Sequence, residues 1–188
     1  WVMVLYVERS KPKQRHTIQI LTSTDLKNWT PASEVDGFFE CPDLFPLALD
    51  GNAKETRWVL TAASSEYMVG RFDGKVFTPE TAKLKGHRGK GFYAAQTFSD
   101  IPAADGRRIM IGWLQTPSPG MAFNQSMSVP LELKLLTTPD GPRLSYMPVK
   151  ELQGLQDELR KSGPVELRPG EDPLADVKGN LLEIHLQL

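Results

Sequence analysis

The stretch Phe38-Phe39-Glu40-Cys41-Pro42-Asp43-Leu44-Phe45-Pro46 sets two carboxyls three positions apart inside an apolar segment punctuated by proline. Taking a carboxylate out of water disfavours its charged form, so a carboxyl packed among aromatic rings keeps its proton closer to neutrality. Such a group can donate that proton to a departing oxygen, the work of a general acid. Glu40 is the candidate. The same residues also fit an ion-paired Glu at the end of a strand that Pro42 terminates, and spacing alone leaves both readings open. Cys41 is the single cysteine; it reads as a small buried hydrophobe rather than a reactive thiol, and it allows no internal disulfide. His16, His87 and His185 lie far apart without metal-ligand spacing, so no metal or cofactor is expected.

Composition narrows the partners. The 188 residues carry 22 basic and 23 acidic side chains, a net charge of -1. A chain so balanced has no field to draw in phosphate backbones or anionic lipid, and nucleic acid is not an expected partner. No apolar run approaches the roughly 18 residues of a membrane span, so no membrane partner is expected either. Apolar residues at 40% and charged residues at 24% are ordinary for a globular chain. The first residues, Trp1 to Val7, already read as a strand with no initiator methionine or polar lead-in, and a truncated N-terminus is expected.

The elements that must position Glu40 are strands. Short β-rich runs bounded by turn residues occur at Trp1 to Val7, His16 to Thr22, Trp58 to Ala62, Met68 to Phe72, Phe92 to Phe98 and Arg108 to Leu114, an all-β pattern. A scheme repeats: Thr17-Ile18-Gln19-Ile20 leads to Asp25 and Trp29, and Tyr67-Met68-Val69-Gly70 leads to Asp73 and Phe77. In both, an aromatic follows an Asp by four positions. The strands opening at Trp1 and Trp58 are 57 residues apart, and a similar run opens at Ile109 after 51 more. A period of roughly 50 suits the blades of a β-propeller. Trp29, Trp58 and Phe77, at equivalent places, read as packing between sheets.

Glu40-Cys41-Pro42-Asp43, followed by an apolar residue, Phe and Pro, resembles the acid/base signature of glycoside hydrolase family 32, which cleaves β-fructofuranosides. Gly91-Phe92-Tyr93-Ala94 resembles that family's Asp-Phe-Tyr-Ala segment, and Arg108-Ile109-Met110-Ile111-Gly112-Trp113 its Arg-Ile-x-x-Gly-Trp strand. Met127-Ser128-Val129-Pro130-Leu131-Glu132-Leu133 resembles Met-Ser-x-Pro-Arg-Glu-Leu, and Pro148 to Leu152 the segment before the C-terminal sandwich. The five motifs come in the family's order. The resemblance implies a retaining glycosidase acting on terminal β-D-fructofuranosyl linkages of fructans or sucrose, with Glu40 as acid/base. It implies that Tyr93 lies near Glu40 or the sugar and that Trp113 lines the fructose subsite. Asp43 would hydrogen-bond substrate or orient the Glu40 strand.

For the fold, the resemblance implies the later blades of a five-bladed β-propeller over residues 1–147 and a linker helix over 148–163, with apolar spacing at Val149, Leu152, Leu155 and Leu159. Residues 164–188 would begin a C-terminal β-sandwich, with Leu182 to Leu188 as its first strand. Three departures bear on substrate: Gly91 replaces the usual Asp, Leu131 replaces the usual Arg, and Pro117 to Gln125 lack the tryptophan common ahead of Met-Ser-x-Pro.

A retaining glycosidase needs a second carboxyl about 5 to 5.5 Å from the first. The family places it in Asn-Asp-Pro and a stabilising Asp in Arg-Asp-Pro; neither tripeptide occurs here. The one Asp-Pro pair, Asp172-Pro173, reads as a turn. The 188 residues alone are therefore expected to be inactive. The alternative is a noncatalytic carbohydrate-binding propeller fragment on the same scaffold; an arabinoside-cleaving propeller is disfavoured by Glu-Cys-Pro-Asp. Sucrose, inulin, levan and phosphorylated sucrose all stay open as substrates. Polymer is preferred because the nearest basic run, Lys83, Lys85, Arg88 and Lys90, reads as a solvated loop, and a polymer substrate implies an extracellular or periplasmic location.

Overall fold

The computed structural model describes every residue except 88, 158, 159, 180, 181 and 186–188. It divides into two compact units, Trp1–Leu152 and Gln153–Leu188. The first unit holds strands β1 (Val2–Arg9), β2 (Arg15–Thr22), β3 (Thr30–Asp36), β4 (Asp43–Leu49), β5 (Asn52–Thr61), β6 (Glu66–Phe72), β7 (Phe77–Pro79), β8 (Leu84–Lys85), β9 (Phe92–Thr97), β10 (Arg108–Leu114), β11 (Ser126–Met127), β12 (Leu131–Thr138) and β13 (Gly141–Pro148). These form three antiparallel groups: β1-β2-β3, then β4-β5-β6-β7, then β9-β10-β12-β13 with β11 extending the edge of β10. A single parallel bridge, Leu135 to Leu49, joins the second group to the third. The Asp50 carboxylate reinforces it by accepting from the Thr137 amide at 2.8 Å and hydroxyl at 2.6 Å. The first unit is nearly all-β and forms successive blades of a partial β-propeller.

Two apolar cores lie between the blades. Ile18, Ile20, Phe38, Leu60, Ala62 and Phe77 make one, between the first and second groups. Phe45, Val59, Tyr67, Val69, Phe92, Met110, Leu131, Leu133, Leu135 and Leu144 make the other, between the second and third. Strand β5 serves both, because its side chains alternate: Val59 faces one core, Leu60 the other, and each is 0% exposed. In β12 the alternation is cleaner still, with Leu131, Leu133 and Leu135 inward and Glu132, Lys134 and Leu136 outward. Pro46 sits inside β4 because that strand pairs along its length only with β5, meeting β12 at Leu49 alone; an edge strand tolerates the missing amide hydrogen.

The repeated Asp-to-aromatic scheme is a hairpin device. Asp25 accepts from the Lys27 and Asn28 amides at 2.9 and 2.8 Å between β2 and β3. Asp73 accepts from the Lys75 and Val76 amides, both at 2.8 Å, between β6 and β7. These Asx turns reverse the chain without help from the core. They also correct the period read from sequence: β1-β2-β3 and β5-β6-β7 share the hairpin device, but the strand carrying Trp58 opens earlier, at Asn52, and Trp58 lies inside it opposite Gly70, whereas Trp1 precedes β1 and bonds Ser23. Phe77 is buried and Trp58 packs edge-on against Phe72 at 5.0 Å. Trp29 differs from expectation: it is half-buried and its Nε1 donates to Leu26 O, packing on its own turn.

Further along, the expected linker helix is only a six-residue 3-10 helix, Lys150–Leu155. Val149 is buried, yet Leu155 is 78% exposed and Leu159 lies outside the described residues. A tight helix repeats every three residues, so the stripe spaced for an α-helix does not gather on one face. In the second unit, the Leu174 amide donates to Asp172 Oδ1 at 2.9 Å, and Asp172-Pro173 is a turn as expected. Among its described residues there is no strand; Leu182 to His185 pair in no ladder, and the rest of that expected strand lies outside the described residues.

Gly70 is where the blade leaves no room for a side chain. A Cβ there would stand 2.2 Å from Thr78 O and 2.9 Å from Pro79 Cα, both backbone atoms. Replacing Gly70 by Ala should lower stability by about 1–3 kcal/mol, seen as a lower urea midpoint at unchanged m-value. An unchanged midpoint would contradict this packing.

Candidate active site

The segment carrying Glu40 runs from the end of β3 to the start of β4 and is tied at nearly every residue. Gly37 N donates to His16 O at 2.8 Å, and Lys83 Nζ reaches Gly37 O at 2.8 Å. Phe38 is 0% exposed in the first core. Ala63 N, just past β5, lies 3.3 Å from Phe39 O and 3.1 Å from Glu40 O. Gln96 Nε2 donates to Cys41 O at 3.1 Å and stands 3.4 Å from Pro42 O. The Thr97 amide donates to Asp43 Oδ2 at 2.8 Å.

These ties hold an unusual backbone. Glu40 and Cys41 have φ of 51° and 39°, and Ala94, beside Tyr93, has φ of 50°. The left-handed region crowds a Cβ, so each such residue costs about 1–3 kcal/mol and persists only where its surroundings fix it. Ala63 is the shared support: its amide serves the Glu40 turn, while its carbonyl accepts from Ala94 N at 2.9 Å. The Glu40 turn and the left-handed residue within β9, on different blades, are thus joined through Ala63, and what they bring together is chemical. Tyr93 Oη donates to Glu40 Oε2 at 2.7 Å.

Trp113 completes the group. On β10 it lies opposite Tyr93 of β9, beside a break in register after Ile111, and the two rings meet edge-on at 6.3 Å and 73°. Trp113 is 40% exposed, so an indole face is available beside the carboxyl; such a face suits the C-H groups of a sugar. Gly112 lets β10 approach β9, since a Cβ there would meet the Phe92 ring at 2.7 Å. Of the four residues singled out from sequence, Glu40, Tyr93 and Trp113 converge. Asp43 stands apart as an acceptor for the Thr97 amide, which joins β4 to the end of β9; this bond orients the strand leading from Glu40.

Electrostatics follow the geometry. Burial first, then the bond to Glu40 and the charge of that carboxylate, push the Tyr93 phenol up to about 12, so it stays a hydrogen-bond donor throughout the neutral range. Burial and the Glu40 charge also push the Cys41 thiol up, which keeps it protonated and poorly nucleophilic. Two clefts, of about 280 and 480 Å³, are lined by other residues and include neither Glu40 nor Tyr93. Among the described residues no three His, Cys, Asp or Glu gather to hold a metal, and no helix is long and apolar enough to cross a membrane.

Several supports have no signature in the sequence. Ala63 and Gln96 act on backbone carbonyls, which any residue supplies. Lys83 corrects the reading of its run as a solvated loop: it binds Gly37 O, pairs with Glu66 at 3.0 Å and lies 5.6 Å from the Phe38 ring centre. Tyr6, His16 and Phe39 cluster beside the turn, the rings of Tyr6 and His16 lying 5.3 and 4.9 Å from that of Phe39. The departures from the motif are also explained locally. Gly91 has φ of 87° and its carbonyl accepts from Gln115 N at 2.7 Å, a conformation that disfavours Asp. Leu131 is 9% exposed in the second core, where an Arg would be costly to bury.

Comparison with known proteins identifies the family and the fold. Residues 1–148 match the family described as Glycosyl hydrolases family 32 N-terminal domain. A levanase of Bacillus subtilis (strain 168) is 34% identical over 213 aligned residues, covering 100% of this chain and 30% of the levanase. An extracellular exo-inulinase of Aspergillus ficuum is 30% identical over 179 residues, 79% of this chain and 32% of that protein. The chain thus spans about a third of the length of these relatives. Among solved structures, exo-inulinase from Aspergillus awamori aligns with a TM-score of 0.63 at 24% identity, over 77% of this chain and 35% of that one. A Bombyx mori GH32 beta-fructofuranosidase variant in complex with sucrose aligns with a TM-score of 0.62 at 22% identity, over 84% of this chain and 36% of that one. With a family match over residues 1–148 and a levanase 34% identical across the whole chain, the chain belongs to glycosyl hydrolase family 32.

Proposed function

We propose that these residues supply the proton-transferring half of a retaining hydrolase that cleaves terminal β-D-fructofuranosyl linkages in fructans or sucrose. Glu40 protonates the departing glycosidic oxygen as a carboxyl attacks the anomeric carbon; as a carboxylate it then deprotonates water, which releases fructose from the covalent intermediate. The attacking carboxyl is not among the 188 residues: neither Asn-Asp-Pro nor Arg-Asp-Pro occurs in them, and the isolated chain is expected to be inactive. The observation that carries the reading is the 2.7 Å bond from Tyr93 Oη to Glu40 Oε2. It fixes one carboxyl oxygen and leaves the other for the substrate, while Trp113 offers its ring to the sugar.

Fructan polymer is the favoured substrate. The levanase and exo-inulinase among the relatives support it, although a sucrose-6-phosphate hydrolase of Klebsiella pneumoniae, 33% identical over 62% of this chain, keeps smaller fructosides in view. A polymer substrate carries with it an extracellular or periplasmic location. Residues 164–188 are taken as the start of a C-terminal β-sandwich. Release of reducing sugar from levan, inulin and sucrose by the full-length protein tests the substrate class, and no release from any of them would favour the noncatalytic carbohydrate-binding alternative.

Replacing Glu40 by Gln in that protein should lower kcat/KM about 10² to 10⁴-fold, read on whichever substrate is active; undiminished activity would remove the assignment. Tyr93 gives an independent check. An ordinary phenol ionises near 10, and the native protein holds the Tyr93 proton up to about 12. The native state therefore binds a proton that the unfolded chain releases first. The resulting stability is complete below about pH 10 and is lost as pH rises through the folded value. In an ultraviolet titration, Tyr93→Phe should remove a phenol ionisation centred near 12. Loss of one centred near 10 instead would mean that Tyr93 does not hold Glu40.

A further inference from the structure

Resting on the reading of Glu40 as the acid/base, we infer that Tyr6, His16 and Phe39 form a positioning cluster that fixes the Glu40 carboxyl through the backbone rather than by touching it. Tyr6 lies on β1 and His16 on β2. Because Tyr6 is opposite Ile18 and Glu8 opposite His16, the two are diagonal neighbours on one face of the hairpin. Tyr6 Oη and His16 Nδ1 are 2.7 Å apart, and their rings stack at 5.9 Å and 24°. Phe39 stands edge-on to both, at 71° to Tyr6 and 86° to His16.

The residues before Glu40 are thereby gripped on two sides. Phe38 is 0% exposed and anchored in the core, whereas Phe39 is 40% exposed; the core does not hold its ring, and the Tyr6-His16 pair does. His16 also accepts the Gly37 amide at 2.8 Å, so one residue holds both the start of the turn and the ring adjoining Glu40. The following residues, Glu40 and Cys41, are left-handed and would relax if Phe39 were free to move. The Tyr6 phenol is near enough to feel the carboxylate, being held above its ordinary range by burial and by the charges of Glu8 and Glu40. Catalytic geometry is sensitive on this scale: about 1 Å of misplacement can cost about 10²-fold in rate, and supporting residues set that placement.

The test is kinetic, on the full-length protein, with three variants beside Glu40→Gln. Phe39→Leu removes the ring but keeps an apolar side chain; it should lower kcat about 10 to 100-fold, with KM changed less than about 3-fold. It should also displace the limb of the kcat pH profile that reports the acid/base. Phe39→Tyr keeps the ring and should recover most of the loss. Tyr6→Phe removes one oxygen, so the fold is retained even if Phe39→Leu fails to fold; it should displace the same limb and lower kcat less. Parent-like kcat and pH profile in Tyr6→Phe and in a folded Phe39→Leu would overturn the inference, as would a change confined to KM, which marks a substrate contact. If Glu40→Gln keeps full activity, the acid/base reading itself falls; if Glu40→Gln is inactive while the cluster variants are parent-like, only the positioning role falls.

Discussion

The site depends on a backbone that its residues do not favour. Glu40 and Cys41 turn left-handed, and so does Ala94 on another blade, where glycine would be the easy choice. Glycine would abolish the side chain that the turn presents. The conformation is carried instead by hydrogen bonds from Ala63 and Gln96 and by the anchoring of Phe38. A strained turn of this kind gives the carboxyl one orientation, and Tyr93 then selects one of its oxygens.

Blade packing supplies the rigidity that this requires. The end of β5, at Val59 and Leu60, is buried on both faces, and Ala63 just beyond it inherits that fixity. The Glu40 turn draws on the core between the first and second groups through Phe38, while Tyr93 and Trp113 stand on strands of the third, with Phe92 beside Tyr93 buried in the second core. Small errors in packing at either core would reach the same carboxyl, from the backbone side or through the phenol. Asp43 and Asp50 close the remaining seams, each carboxylate accepting a backbone amide from the neighbouring blade.

Much of this could be read from the residues. Glu40 stood out because a carboxyl between aromatics and prolines needs a reason, and Tyr93 and Trp113 followed from ordered motifs. Strands such as His16 to Thr22 are legible through β-branched, alternating residues; β4 with its Pro46 and β3 with its polar Ser33 and Glu34 lack that signature. In β12 the alternation of Leu131, Leu133 and Leu135 is itself a strand signature. What sequence could not give were contacts made by backbone atoms, as at Ala63, or contacts between residues distant in the chain, as between Lys83 and Gly37 or Tyr6 and Phe39. The apolar spacing after Val149 suggested a longer helix than six residues because spacing does not reveal whether a face will be covered.

The proton-transfer role proposed for Glu40 is separable from every other carboxyl role by restoring what its removal takes away. In a retaining enzyme an acid/base variant still forms the covalent intermediate from a substrate with a good leaving group, and a small anion can then complete the reaction on the face the missing base leaves open. The measurement is turnover of an activated β-fructoside by full-length Glu40→Ala with and without azide, with identification of the product. The account predicts that azide accelerates turnover and that the product is the β-fructosyl azide. No acceleration, or an azide of inverted configuration, would contradict it.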